Sequence, residues 1–392
     1  MKNLFLKTIL FIVTTTIVIS CNNDNTPVMP IDNSVTKRQA IENYANIASA
    51  NYQKAYDDAV VLETAITTFT TTPNQINFDN AKAKWKLSRE SYGTTEAFRF
   101  ANGPIDDSAG PEGLLNSWPM DENFVDYVDG ATNAGIINNP TLYPTIDKGT
   151  LEGQNALDID EKNVSVGYHA IEFLLWGQDL TAPSANQAGQ RPYTDYLTTG
   201  GTASNQARRA LYLRVCADLL TDNLLYMVNQ WKVGGAYRTI FLGLAENVAL
   251  KNIYLGITTL ISAELPVERM ETALGNADQE DEHSCFSDNT HRDIILNLQG
   301  VVNVYQGKYG TIDGASLEDL VNQANVQAYT DTNASITLSL TKANALLNPF
   351  DLAISGGETS AEGAKVKSAA LQFKNLGSNL LNGATKIGII VN

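Results

Sequence analysis

GYHAIEFLLWGQD, residues Gly167 to Asp179, decides how the rest of the chain is read. Ser165 is placed to cap a helix and Gly177 to end it. Between them nearly every position is apolar: Val166, Tyr168, Ala170, Ile171, Phe173, Leu174, Leu175 and Trp176. A short helix with no polar face belongs inside a protein. Yet it carries two ionisable groups, His169 and Glu172, three residues apart and so one turn from each other on one face. A carboxylate there is costly unless it is paired, hydrogen-bonded or bound to a metal. Two readings are open at this point, a satisfied core pair or part of a binding or metal site.

Working outward, helical periodicity dominates from Ser34 onward, and no run alternates as a strand would. A first helix is expected over about 35–70, with Ile41, Tyr44, Ile47, Ala48, Tyr52, Ala55 and Ala59 as its apolar stripe. A second covers about 78–101 and stops at Asn102-Gly103-Pro104. A third starts near Trp118, with Pro119 in its first turn and Asp121 and Glu122 where the helix dipole favours acids. Residues 130–163 and 181–204 read as long irregular connections. Further helices are expected at about 205–232, 237–263, 288–305, 317–330, 334–347 and 361–384. The fold class is therefore all-α, two packed four-helix-bundle domains, 34–200 and 201–392, divided within the second connection.

The chain has 392 residues, with 27 Lys+Arg against 43 Asp+Glu and a formal net charge of −16. Such acidity argues against nucleic acid as a partner, since nucleic acid needs basic patches. Lys2 and Lys7 flank the start of the apolar run LFLKTILFIVTTTIVIS, which ends at Cys21. Val18-Ile19-Ser20-Cys21 resembles a bacterial lipobox, which implies cleavage before Cys21 and its lipidation. Residues 1–20 are then a lipoprotein signal peptide and 21–33 a polar tether. In the mature chain Cys216 and Cys285 remain, either as a disulfide or as two buried thiols.

Two further constellations stand out. Trp85, Arg89, Tyr92, Glu96 and Arg99 fall on one narrow face of the second helix, either a solvated ion-pair face or the polar wall of a cleft. Asp278 to Asp293 holds Glu280, Asp281, Glu282, His283, Asp288 and His291. The chain has only three histidines, one in the buried helix and two in this segment. Imidazoles and carboxylates concentrated in two places are the elements of a zinc, iron or copper site. No H-E-x-x-H, G-x-S-x-G elbow or phosphate loop is present. If His169 and Glu172 both bind metal, the motif has no glutamate left to act as a base.

The arrangement Gly167-x-His169-x-x-Glu172 resembles the G-x-H-x-x-E motif of the imelysin family. The stretches AKAKWKLSRESYGTTEAFRF (81–100), LLNSWPMDENFVDY (114–127) and EHSCFSDNTHRDI (282–294) resemble its other blocks in order. The resemblance implies an extracytoplasmic protein of two four-helix bundles with its site at their interface. It also implies a role in bacterial iron uptake, in a family once classed among metallopeptidases. On this footing the expected metal residues are His169, Glu172, His283, Asp288 and His291. The expected cleft residues are Trp85, Arg89, Tyr92, Glu96, Arg99, Trp118, Asp121 and Ser287. Gly167 needs no chemistry, since the absence of Cβ lets another segment approach. The expected cofactor is a divalent metal, iron or zinc, and the ligand a metal ion or small metal complex. The expected location is the cell envelope, on the periplasmic face or outer-membrane surface, with a lipid anchor at Cys21 holding the chain to the membrane and iron-uptake proteins as partners. The alternative is a metallopeptidase with His169 and Glu172 as zinc ligands.

Overall fold

Helix α1 (Lys37–Thr71) begins at a capping box, in which Thr36 accepts from Gln39 N and the Gln39 side chain accepts from Thr36 N at 2.9 Å. The computed structural model describes residues 34–155 and 160–391, so the expected signal peptide, Cys21 and the whole tether lie outside the described residues. The stripe from Ile41 to Ala59 is buried as its spacing predicts. Asn74 caps α2 (Gln75–Tyr92), which runs into a 3-10 turn, Gly93–Phe98, instead of continuing as α-helix. Then come α3 (Gly167–Trp176) and α4 (Gln206–Trp231). α1 lies against α2 and α4, and α3 packs on both α2 and α4, which closes a first four-helix bundle. α4 lies beyond the boundary expected at 200/201, so this bundle draws on both sides of it.

The second bundle consists of α5 (Glu246–Asn276), α6 (Thr290–Gln306), α7 (Val326–Ala343) and α8 (Ala361–Lys386). α8 packs on α5 and α7, and α6 on both as well. The protein is all-α in class. A hairpin of two residue pairs, Lys308–Tyr309 with Ile312–Asp313, is the sheet found among the described residues. Within α5 the turns widen to π geometry over Leu260–Glu271, around Pro266, whose ring has no N–H to give.

Several local expectations shift for visible reasons. The helix expected from Trp118 is a single turn, Glu122–Val125, with Asp121 Oδ1 accepting from Asn123 N at 3.0 Å. The helix expected over 317–330 breaks at Asn325, which is extended and caps α7 by accepting from Ala328 N. Ser165 does not cap α3. Its hydroxyl donates to Leu151 O at 2.7 Å, and Val166 holds the cap position without a side-chain bond. Cys216 and Cys285 are both buried and unbonded to each other.

The bundles join through the 3-10 turn, which lies flat on α6. The approach is so close that a Cβ on Gly300 would sit 2.6 Å from Thr94 O. From Val35 onward the chain forms one compact unit.

Gly167 opens α3 at φ +85°, and a Cβ there would lie 2.7 Å from the backbone oxygen of Leu115. Left-handed backbone and a main-chain neighbour both bar a side chain. Gly167→Ala is therefore expected to cost about 2 kcal/mol or more, read as a lowered denaturant midpoint. An unchanged midpoint would show that the 114–115 segment yields.

Candidate functional site

Arg89, near the end of α2, is fully buried, and its guanidinium carbon lies 5.0 Å from the ring of Tyr168 and 5.4 Å from that of Tyr92. Stacked there, it reaches out with both terminal nitrogens. Nη1 donates to Asn116 Oδ1 at 2.6 Å and Nη2 to Asp293 Oδ1 at 3.0 Å. Burial alone would raise the Asp293 carboxyl, but Arg89 and the hydrogen bonds of His283 and Ser284 outweigh it and hold it well below the usual carboxylate range. Asp293 is thus ionised. Its Oδ2 accepts from His283 Nδ1 at 2.9 Å and from Ser284 Oγ at 2.6 Å. His283 consequently carries its proton on Nδ1 and presents Nε2 as an acceptor, 3.4 Å from Asn116 Nδ2. Burial, with Arg269 adding repulsion, lowers its pKa to about 4, so the ring is neutral at pH 7.

The motif helix meets this network from the other side. The His169 and His283 rings lie 4.7 Å apart, edge to face. Trp118 covers them, 4.9 Å from His169 and 6.4 Å from His283. His169 Nδ1 lies 3.0 Å from Glu172 Oε2, while Glu172 Oε1 accepts from Ser287 N at 3.0 Å and Ser287 Oγ at 2.7 Å. Burial pushes Glu172 up to about 8 and His169 well below its ordinary value. The pair is therefore a hydrogen bond between neutral groups more than an ion pair, and a metal taken up at Nε2 would displace one proton from it. It fixes the imidazole through Nδ1 and leaves Nε2 buried without a partner.

A cleft of about 370 Å³ opens beside these rings, with His283, Asn116 and Trp118 in its wall. Its other lining residues include Arg99, Glu112, Glu264, Glu268, Arg269 and Asp281. The π turns of α5 supply Glu264, Glu268 and Arg269, in keeping with the frequent placement of such turns at functional sites. Arg269 donates to Glu96 Oε2 at 2.6 Å and to Asn297 Oδ1 at 2.7 Å. Burial pushes the Glu112 carboxyl up to about 7, with Arg99 opposing.

The expected residues divide. His169, Glu172, His283, Ser287, Trp118, Arg89, Glu96 and Arg99 belong to this connected site. Trp85 and Tyr92 wall it from behind, Trp85 by donating to Tyr168 O at 2.9 Å. The stripe on the second helix is thus interior, not a solvated face. Asp121 caps a turn instead of lining the cleft. Asp288 and His291 make no hydrogen bond or ring contact with the two imidazoles among the described residues; the charges acting on Asp288 are Asp351, Asp179 and Lys86. Sequence reading passed over Asn116, Asp293 and Arg269 as site residues. Asn116 and Asp293 stood inside noted blocks, but nothing in the sequence ties Arg269 to Glu96.

Among the described residues, no three His, Cys, Asp or Glu side chains form a group that could hold a metal ion. Both Glu172 oxygens are engaged within the protein. What the site offers a metal is His169 Nε2, buried without a partner, and His283 Nε2, which faces Asn116 Nδ2 at 3.4 Å. Each imidazole is braced through Nδ1 by a carboxyl group, as ligating histidines commonly are.

An all-helical protein of two joined bundles, with a buried pair of carboxyl-braced histidines under a cleft between them, is the class defined here. The sequence model of the imelysin family (peptidase M75) matches residues 48–380, and the chain belongs to that family. Iron-regulated protein A of Synechococcus elongatus is 24% identical over 283 residues, 69% of this chain. The chain spans 64% of the length of that curated relative. The crystal structure named for an iron-regulated protein A precursor from Parabacteroides distasonis superposes with a TM-score of 0.67 at 17% identity, covering 90% of this chain and 97% of that one. An imelysin-like protein from Psychrobacter arcticum gives 0.63 at 11% identity, covering 92% and 99%. At these identities the two structures speak for the fold.

Replacing Asp293 by Asn would leave Arg89 buried and uncompensated, at a cost of about 3–5 kcal/mol near pH 7. The Asp293 carboxyl is depressed in the folded state, so its contribution is present above the ordinary value of 3.8 and is lost as pH falls below it. The stability gap between wild type and variant, from denaturation at pH 7 and at pH 3, is expected to narrow in acid. A constant gap would assign the loss to packing.

Proposed function

We propose that this protein is an envelope lipoprotein of iron acquisition that binds a metal ion or small metal complex at the His169–His283 pair. One observation carries the reading. Two neutral imidazoles, held in place by Glu172 and Asp293, meet beneath a cleft, and His169 Nε2 has no protein partner. Such an arrangement gives a metal two nitrogen ligands and leaves its other positions to water or to a carrier molecule. Membership of the imelysin family and likeness to iron-regulated protein A favour iron as the metal. Attachment through Cys21 and placement at the cell surface or in the periplasm rest on the lipobox resemblance.

Hydrolysis is the weaker reading. Bound to two histidines, the metal would polarise a carbonyl or water, but peptide cleavage also requires a carboxylate free to take the proton of that water. Glu172 is fastened by His169 and by two bonds from Ser287, and Asp293 by Arg89, His283 and Ser284, so the base would have to be a cleft carboxylate such as Glu112 or Glu268, outside the histidine motif.

Fe(II) and Zn(II) titrations, with elemental analysis, test the reading on wild type, His169→Ala and His283→Ala. One metal per chain is expected, with affinity tenfold or more lower in each variant and no cleavage of a denatured protein substrate. Variants that stay folded and bind metal as wild type does would refute the site. Metal-dependent cleavage abolished by the same substitutions would restore the peptidase.

A further inference from the structure

Resting on the metal-binding reading, we infer that the cleft over His283 selects its ligand by charge and admits a hydrated divalent cation while turning away anionic metal complexes. Two guanidiniums approach the cleft, and both are already paired with carboxylates. Arg99 lies 3.2 Å from Glu112, 3.3 Å from Glu264 and 3.4 Å from Asp106. Arg269 is paired with Glu96 at 2.6 Å and Glu264 at 3.1 Å. The two cations are thus matched by Glu96, Glu264 and Asp106, with Glu112, pushed up to about 7 by burial, only partly ionised at pH 7. The Nε atoms of both arginines lack a good hydrogen bond but are shut off from solvent.

Glu268 and Asp281 add two further negative charges to the wall. Asp281 accepts from Asn276 Nδ2, and Glu268 has no basic partner among the described residues. Among the described residues, no lysine lines the cleft. A ligand that enters therefore meets an excess of carboxylate and, at the floor, the neutral imidazole of His283 in contact with His169. The second and independent pointer to a cation is the neighbouring buried ring: His169 Nε2 is fully enclosed and unpartnered, and its ring lies 4.7 Å from that of His283. A hydrated divalent ion gains from the field of the mouth and then exchanges waters for the two nitrogens. A citrate-like complex with net negative charge is repelled along the same path.

Glu268 is the residue to change, because it is exposed, unpaired and remote from both histidines in the sequence. Affinities of the full-length chain for Fe(II), Zn(II) and ferric citrate would be compared in wild type, Glu268→Gln and Glu268→Lys, at low and moderate salt. Wild type is expected to bind the free cations in preference to ferric citrate. Neutralising Glu268 weakens cation binding about fivefold and reversing its charge weakens it more, with the difference shrinking as salt rises. Wild type that prefers ferric citrate, or cation affinities indifferent to Glu268 and to salt, would overturn charge selection while leaving the two-histidine site intact. Failure of any metal species to bind wild type would remove the metal-binding reading itself.

Discussion

The buried guanidinium of Arg89 is the constraint around which this protein is arranged. It is held among the rings of Trp85, Tyr92 and Tyr168 and is shut off from bulk solvent. A charge so placed must find its partners inside the protein. It finds Asn116 from the segment after the second helix and Asp293 from the other bundle. Asp293, once ionised by that pairing, fixes the tautomer of His283. The position of one side chain of the first bundle therefore sets the chemistry of an imidazole contributed by the second.

A similar economy is repeated elsewhere in the first bundle. Asp126 lies fully buried between Arg191 and Arg209, accepting from Arg191 Nη1 at 2.6 Å and from Arg209 Nε and Nη2 at 2.6 and 2.8 Å. Its carboxyl is held low despite burial because two guanidiniums face it. Arg209 also donates to the carbonyls of Asp195 and Ser204. One ion network thus ties the long connection before α4 to the helix itself. It gives an irregular, Gly- and Pro-containing segment a fixed course where hydrophobic packing alone would not specify one.

Much of this was legible in the residues. The apolar run of α3 with only His169 and Glu172 as ionisable groups located the core of the site, and the clustering of histidines pointed to its opposite wall. Helix periodicity gave the class and most of the long elements. What escaped shares one character: it depends on pairing between distant groups that periodicity does not encode. Arg269 looks like any arginine on an amphipathic helix until the π turns carry it to Glu96. Asp288 and His291 share a segment with His283, yet Asp288 adopts a left-handed backbone at φ +55° and the chain turns there into α6, separating neighbours that spacing would group. Ser165 had the right type for a cap, but a carbonyl of another segment was a better partner for its hydroxyl.

The close seat of the 3-10 turn on α6 has a mechanical consequence. Binding proteins built from two lobes commonly work as a clam-shell, the lobes swinging apart to admit a ligand. Here backbone meets backbone across the join at Gly300, and the Arg89–Asp293 and Arg269–Glu96 pairs rivet it on either side. Such a seam resists swinging. On the metal-binding reading, the half-buried indole of Trp118, beside both rings at the cleft wall, stands in the path of anything that reaches the histidines.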